Sequence, residues 1–132
     1  GLYSESLSHN FLKDSKKKED IMFRYGAYNY EIMRACRLVI DTGIHYYGWD
    51  FDKCFKFMER NTTFSKNEIE VEIYRYSVYA GQALSYKIGE LKFKELRDYF
   101  LKNKKGSIKD FHKTVLQWGA CSLELLEKMV KK

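Results

Sequence analysis

The chain has no proline in 132 residues, and this limits the folds open to it more than any other feature. An average composition would place roughly six or seven prolines in a chain of this length. Because proline breaks helix interiors and is common in turns, its absence favours long helices over loop-rich folds. Hydrophobic residues make up 45% of the sequence, which is enough to bury a core and argues against a disordered tail.

Apolar residues recur at helical spacing along most of the chain. Ile32, Cys36, Val39 and Ile40 fall at i, i+4, i+7 and i+8, so they share one face of a helix. This helix is predicted to run from Glu19 or Asp20 to about Thr42, with Gly43 as its C-cap or a kink. Shorter helices are predicted over residues 2–11 and 52–60. Two further helices are predicted from Ser65 to a break at Gly81 and from Gly81 to the lysine-rich segment 102–106. The last two are predicted over residues 107–118 and from Ser122 onward.

Local chemistry at the predicted helix ends supports these assignments. Ser65 stands three residues before Glu68, which is the spacing of a capping box. The stretch from Glu70 to Tyr74 alternates like a strand, but the capping box before it favours a helix. The sequence therefore predicts an all-α fold of six or seven helices, with residues 1–132 forming a single helical unit.

Cysteines and charges exclude several classes of protein. Cys36, Cys54 and Cys121 are odd in number and widely spaced, which argues against a disulfide framework or a zinc knuckle and predicts three buried thiols. The net charge is +6, but the lysines are interleaved with acids, and no RNA-binding motif or helix-turn-helix signature is present, so nucleic-acid binding is disfavoured. No apolar run reaches the ~18 residues of a membrane helix.

Two segments concentrate groups that could carry chemistry. His45 follows Gly43 and precedes Gly48 at a helix end, where glycines allow close approach. Tyr79, Gln82 and Tyr86 fall at i, i+3 and i+7, so they can share one helix face. Such a face could hydrogen-bond a peptide or stabilise an oxyanion. By pattern alone, a structural histidine and tyrosines that form a wall of the core are the commoner outcomes.

Four stretches of the sequence resemble one known family. Arg37 to Trp49 resembles the RLVVDTGxHxxGW signature of domain-of-unknown-function family 885, and Gly81 to Gly89 resembles its PGQALxYKIG signature. Arg75-Tyr76 matches the RY that precedes the second signature, and residues 111–123 resemble the family's terminal stretch. The match covers nearly the whole chain, although Ala80 stands where the family has proline and Tyr79 where it has tryptophan.

The resemblance implies a largely helical zinc metallopeptidase of the gluzincin type. Its members carry an H-E-x-x-P-G-H zinc helix upstream, and this chain resembles the part that follows it, with the metal ligands absent. No metal ligand is therefore expected in this chain, and zinc is expected in the full-length protein. The residues implied as catalytic are His45 and Tyr86. Those implied as substrate-binding are Arg75, Tyr76 and Gln82, and the helical spacing adds Tyr79 as a fourth substrate-binding candidate.

The leading prediction is thus a C-terminal substrate-cleft segment of a zinc-dependent metallopeptidase, inactive alone. Its expected partners are a peptide substrate and the missing N-terminal part of the same protein, and the isolated chain is expected to self-associate through apolar surface that this part would cover. The alternative is a stand-alone, non-catalytic helical module that binds peptides or proteins. A basic nucleic-acid binder is the weakest alternative.

Overall fold

The computed structural model describes residues 1–12, 14–104 and 106–132. Over these residues the chain forms seven helices and no strand, which confirms the all-α prediction. None of these helices is long and apolar enough to cross a membrane. The helices are α1 Leu2–Leu12, α2 Lys18–His45, α3 Phe51–Asn61, α4 Lys66–Val78, α5 Gln82–Asn103, α6 Ile108–Leu116 and α7 Leu123–Lys131.

Side-chain caps fix where several helices begin. The Ser65 side chain accepts a hydrogen bond from the Glu68 backbone, and the Glu68 carboxylate accepts one from the Ser65 backbone at 2.8 Å, so the predicted capping box is present. Ser107 and Asp110 repeat this arrangement at α6, and Ser122 caps α7. The Ser65 hydroxyl and backbone hold the pKa of Glu68 below its usual value. These local bonds are why the predicted starts agree with the observed ones.

The chain divides into two compact units, Gly1–Lys87 and Ile88–Lys132. In the first unit α2, α3 and α4 pack on one another, and α1 packs on α2. The core of that unit is built from buried side chains of these helices and the start of α5: Met33, Ile40, Cys54, Met58, Ile69, Ile73, Tyr76 and Ala83. In the second unit α6 packs on α7. The expected single unit over residues 1–132 stays a prediction.

Two finer expectations from the sequence are wrong, and a third needs detail. Gly43 is not the C-cap: α2 continues through it to His45, Tyr46 is the C-cap, and the ring of Trp49 packs against Gly43. Cys121 is exposed rather than buried. On the predicted α2 face, Cys36 and Ile40 are buried and Ile32 and Val39 are exposed, because the buried side of the helix is offset toward Met33, Arg37 and Asp41.

Two lysines surround Glu127 in the second unit. Lys131 hydrogen-bonds this carboxylate, and the Lys92 ammonium lies 2.8 Å from its other oxygen. These bonds lower the pKa of Glu127 from 4.5 to about 2, with Lys131 the larger cause. A carboxyl whose pKa is depressed on folding stabilises the fold above its unfolded value and loses that contribution as pH falls.

We therefore expect an NMR titration of the Glu127 carboxyl to give a midpoint near 2. Replacing Lys131 with Gln removes the larger cause and should raise the midpoint toward the ordinary value. The stability supplied by this group should disappear as pH falls from about 4.5 to about 2. A midpoint that Lys131→Gln leaves unmoved would contradict this account.

Candidate functional site

The two signature segments meet where Asp41 of α2 holds the turn between α4 and α5. Gly81 forms this turn with a φ of +80°, a conformation that favours glycine. Its N–H donates to both oxygens of the Asp41 carboxylate, at 3.1 and 3.0 Å. Asp41 is buried, with 3% of its surface exposed. This charge-assisted contact fixes the start of α5 relative to α2.

A pocket of about 240 Å³ opens beside this junction. Its lining comes from α2, from α4 and its C-cap, and from the first turns of α5: Arg37, Arg75, Tyr79, Gln82 and Tyr86. Two guanidinium groups, two phenol hydroxyls and one amide thus face one small volume. Every one of these groups can donate a hydrogen bond, so the pocket suits an acceptor or an anion.

Arg37 forms the buried side of this pocket, with 6% of its surface exposed. Its Nη2 donates to the Gln82 side-chain oxygen at 2.9 Å. Its guanidinium carbon lies 5.3 Å from the ring centres of both Tyr76 and Tyr86, within the range of a cation–π interaction. Its Nε is buried without a hydrogen-bond partner among the described residues.

Tyr76 supports the pocket from the core, with 1% of its surface exposed. Its hydroxyl donates to the Glu72 carboxylate at 2.5 Å, and Arg75 pairs with the same oxygen at 2.7 Å. Burial, followed by this hydrogen bond, raises the pKa of Tyr76 well above its usual value. The phenol is therefore neutral at all ordinary pH values.

His45 is exposed and does not line the pocket. Its Nε2 lies 3.0 Å from the Tyr76 backbone oxygen, which ties the end of α2 to α4. Nε2 therefore carries the proton that this bond requires. Four of the six residues singled out from the sequence thus line one pocket, namely Arg75, Tyr79, Gln82 and Tyr86.

Sequence reasoning did not assign site roles to Arg37, Asp41 and Glu72. The signal for the first two was present, because Arg37 and Asp41 lie four residues apart and each follows a residue of the apolar α2 stripe. Charged side chains are rarely buried in a protein unless a partner group compensates their charge. Nothing in the local pattern marked Glu72, whose partners lie on its own helix.

The remaining chemistry of the described residues is sparse. A larger pocket of about 550 Å³ is lined by Trp49 and by charged residues of α3, with the Lys53 ammonium 4.4 Å from the indole centre. In the part of the chain that the structure describes, no group of three or more His, Cys, Asp or Glu side chains could hold a metal ion.

The fold and the pocket define a helical protein with a small cleft rich in tyrosine and arginine. The model of a family described as bacterial protein of unknown function, DUF885, matches residues 1–130. The chain therefore belongs to this family. Among curated proteins, none matches it.

A solved structure is also similar over most of the chain. It is described as the crystal structure of "the putative lipoprotein from Colwellia psychrerythraea". The two share 32% sequence identity with a TM-score of 0.88, over 98% of this chain and 22% of that one. The chain thus spans about a fifth of the length of that structure.

Proposed function

We propose that this chain is the C-terminal substrate-cleft segment of a zinc-dependent metallopeptidase. The observation that carries the proposal is the pocket, which gathers Arg75, Gln82 and Tyr86 from the segments that resemble the family signatures, with Tyr79 from the turn between them. A peptidase cleft needs donors that orient the peptide and polarise its carbonyl, and this pocket offers such donors. Family membership supports the proposal through the resemblance to gluzincin-type peptidases.

In this proposal Tyr86 donates a hydrogen bond to the oxygen of the scissile peptide carbonyl. Tyr86 is half-exposed and borders the pocket, and the guanidinium of Arg37 lies over its ring. The phenol hydroxyl can donate to the carbonyl oxygen as negative charge develops there. The residue would act on the transition state more than on the bound substrate.

His45 enters the proposal as a second catalytic residue, with a restriction. Its Nε2 is engaged by the Tyr76 carbonyl, so Nδ1 is the atom that would reach a substrate. Tyr76 in turn is buried and would shape the pocket from below, with its backbone holding His45 and its ring holding Arg37. Arg75, Tyr79 and Gln82 would contact the peptide directly.

Zinc would be held elsewhere in the full-length protein. The described residues of this chain offer no cluster fit to hold it, so no step of the proposal passes through a metal in this segment. When bound to a peptidase, zinc polarises the carbonyl and activates water. The contribution of this chain is to bind and orient the peptide.

The experiment is Tyr86→Phe in the full-length protein, assayed on a peptide substrate with zinc content measured in parallel. Removing one oxyanion donor should lower kcat by more than about tenfold and leave KM and zinc content close to the wild type. Tyr25→Phe is the matched control, since Tyr25 is an exposed tyrosine of α2 outside the pocket. Unchanged turnover would remove Tyr86 from the mechanism. A wild-type protein that hydrolyses no peptide with zinc would instead favour the non-catalytic binding module.

A further inference from the structure

We propose that the pocket around Arg37 is a carboxylate site that binds the C-terminal carboxylate of a peptide. Arg37 would supply the buried positive charge and Arg75 the charge at the rim. The choice of a peptide as the bearer of the carboxylate rests on the proposed peptidase function, whereas the anion site follows from the geometry of the pocket.

The electrostatics of Arg37 point to a missing anion. Its partners within the described residues are uncharged: the oxygen of Gln82 and the faces of the Tyr76 and Tyr86 rings. A buried arginine is ordinarily paired with a carboxylate, because an unpaired buried charge is strongly disfavoured. Its Nε also lacks an acceptor. An anion in the pocket would supply the opposite charge that the surrounding chain does not.

The other groups of the pocket are arranged as donors. The Gln82 oxygen accepts from Arg37, so the groups that Gln82 has left to offer are its two amide N–H donors. Tyr79 and Tyr86 are exposed tyrosines, and their hydroxyls make no hydrogen bond within the described residues. Two acids are adjacent to this site, and both are engaged: Glu72 by the Tyr76 hydroxyl and Arg75, and Asp41 by the Gly81 N–H. The pocket therefore joins several free donors to two cationic groups.

The size and shape of the site favour a carboxylate at a chain end. A volume of about 240 Å³ holds one terminal residue but not a stretch of peptide that passes through. A planar carboxylate matches the fork of a guanidinium group and can accept two parallel hydrogen bonds from it. An amide at the same position has one oxygen and places an N–H group against the donors of the pocket.

The experiment is calorimetric titration of the full-length protein after metal removal with a chelator, so that no turnover occurs. The probes are N-acetyl-alanyl-alanine with a free carboxylate, the same dipeptide with a C-terminal amide, and inorganic phosphate. We expect the acid to bind at least about tenfold more tightly than the amide, since a charge-assisted pair is lost in the amide. Arg37→Met should abolish this preference.

Variants at the rim keep the test valid if Arg37→Met does not fold. Arg75→Met changes a half-exposed side chain and should weaken binding of the acid by roughly tenfold, with little effect on the amide. Arg60→Met is the matched control, because it removes the same charge from the larger, separate pocket. It should leave both affinities unchanged. Circular dichroism establishes which variants are folded.

Several outcomes would overturn the inference. Equal affinity for the acid and the amide, no binding of either, or an acid affinity indifferent to Arg75→Met would each remove the carboxylate site. Binding of phosphate without the acid would reassign the pocket to another anion. Hydrolysis of peptides without preference for a free C terminus would also overturn it and leave the proposed peptidase function standing. If the protein bound the acid but hydrolysed no peptide, the carboxylate site would stand and the proposed peptidase function would be overturned.

Discussion

Replacement of Asp41 with alanine should destabilise the protein by about 2–3 kcal/mol, because it removes a buried acceptor of charge-assisted hydrogen bonds. The Asp41 carboxylate accepts the Gly81 N–H through both oxygens. Without it, the turn before α5 loses its attachment to α2. Asp41→Asn should cost less, since the amide oxygen still accepts one hydrogen bond while the charge is lost.

The measurement is urea unfolding of each variant at neutral pH, with hydrogen exchange of the Gly81 amide as a local readout. Asp98→Ala is the control, because Asp98 is an exposed acid of α5 and changes the net charge equally. It should lie within about 0.5 kcal/mol of the wild type. If Asp41→Ala were as mild as this control, the junction would not depend on the carboxylate. Faster Gly81 exchange in Asp41→Ala alone would tie the loss to the turn.

This junction also links stability to the proposed site. Gln82 follows Gly81 directly, and its oxygen holds Arg37 at 2.9 Å. A turn freed from Asp41 would let the first turn of α5 move, and with it Gln82 and Tyr86. Asp41 thus acts through the backbone as a positioning residue, so its loss should weaken the pocket even in molecules that remain folded.

Helix identity and helix starts could be predicted from the sequence because the responsible interactions are local. Ser65 and Glu68 are three residues apart, and the bonds between them depend on no distant group. Gly81 and Gly119 marked real breaks, and both adopt positive φ. The weak strand-like alternation from Glu70 to Tyr74 does not form a strand, because these residues lie inside the helix that the Ser65 capping box begins.

The site could be predicted only in part, because its contacts join residues far apart in the sequence. Motif resemblance singled out Arg75, Gln82 and Tyr86, and helical spacing added Tyr79; the fold brings all four to one pocket. No local pattern reveals that Tyr76 is buried beneath that pocket or that Arg37 lies between two rings. These facts depend on the packing of α2 against α4, which the periodicity of either helix leaves open.

Gly43 illustrates how distant packing can reverse a local preference, and it gives the second large effect. Glycine inside a helix is ordinarily worse than alanine by about 1 kcal/mol, so propensity alone predicts that Gly43→Ala stabilises. A methyl group here would lie 2.6 Å from Cδ2 and 2.7 Å from Cε3 of the Trp49 ring. Atoms at that separation overlap, so either the indole or α2 must shift.

The indole of Trp49 has little freedom to move. Its backbone N–H donates to the Gly43 oxygen at 2.9 Å, and its ring lies against Phe57 and beneath the Lys53 ammonium. Overpacking of this kind costs about 1–3 kcal/mol, which exceeds the gain in helix propensity. We therefore expect Gly43→Ala to lower the free energy of unfolding by up to about 2 kcal/mol, with a change in tryptophan fluorescence.

Gly26 supplies a control of opposite sign in the same helix. A methyl group at Gly26 would meet nothing within 4 Å. Gly26→Ala should therefore raise the free energy of unfolding by about 0.5–1 kcal/mol through propensity alone. The two variants make the same chemical change in α2, so a difference between them isolates the contact with Trp49. If both variants were stabilising, the indole of Trp49 would be able to move away from the added methyl group, and the predicted overpacking at Gly43 would be wrong.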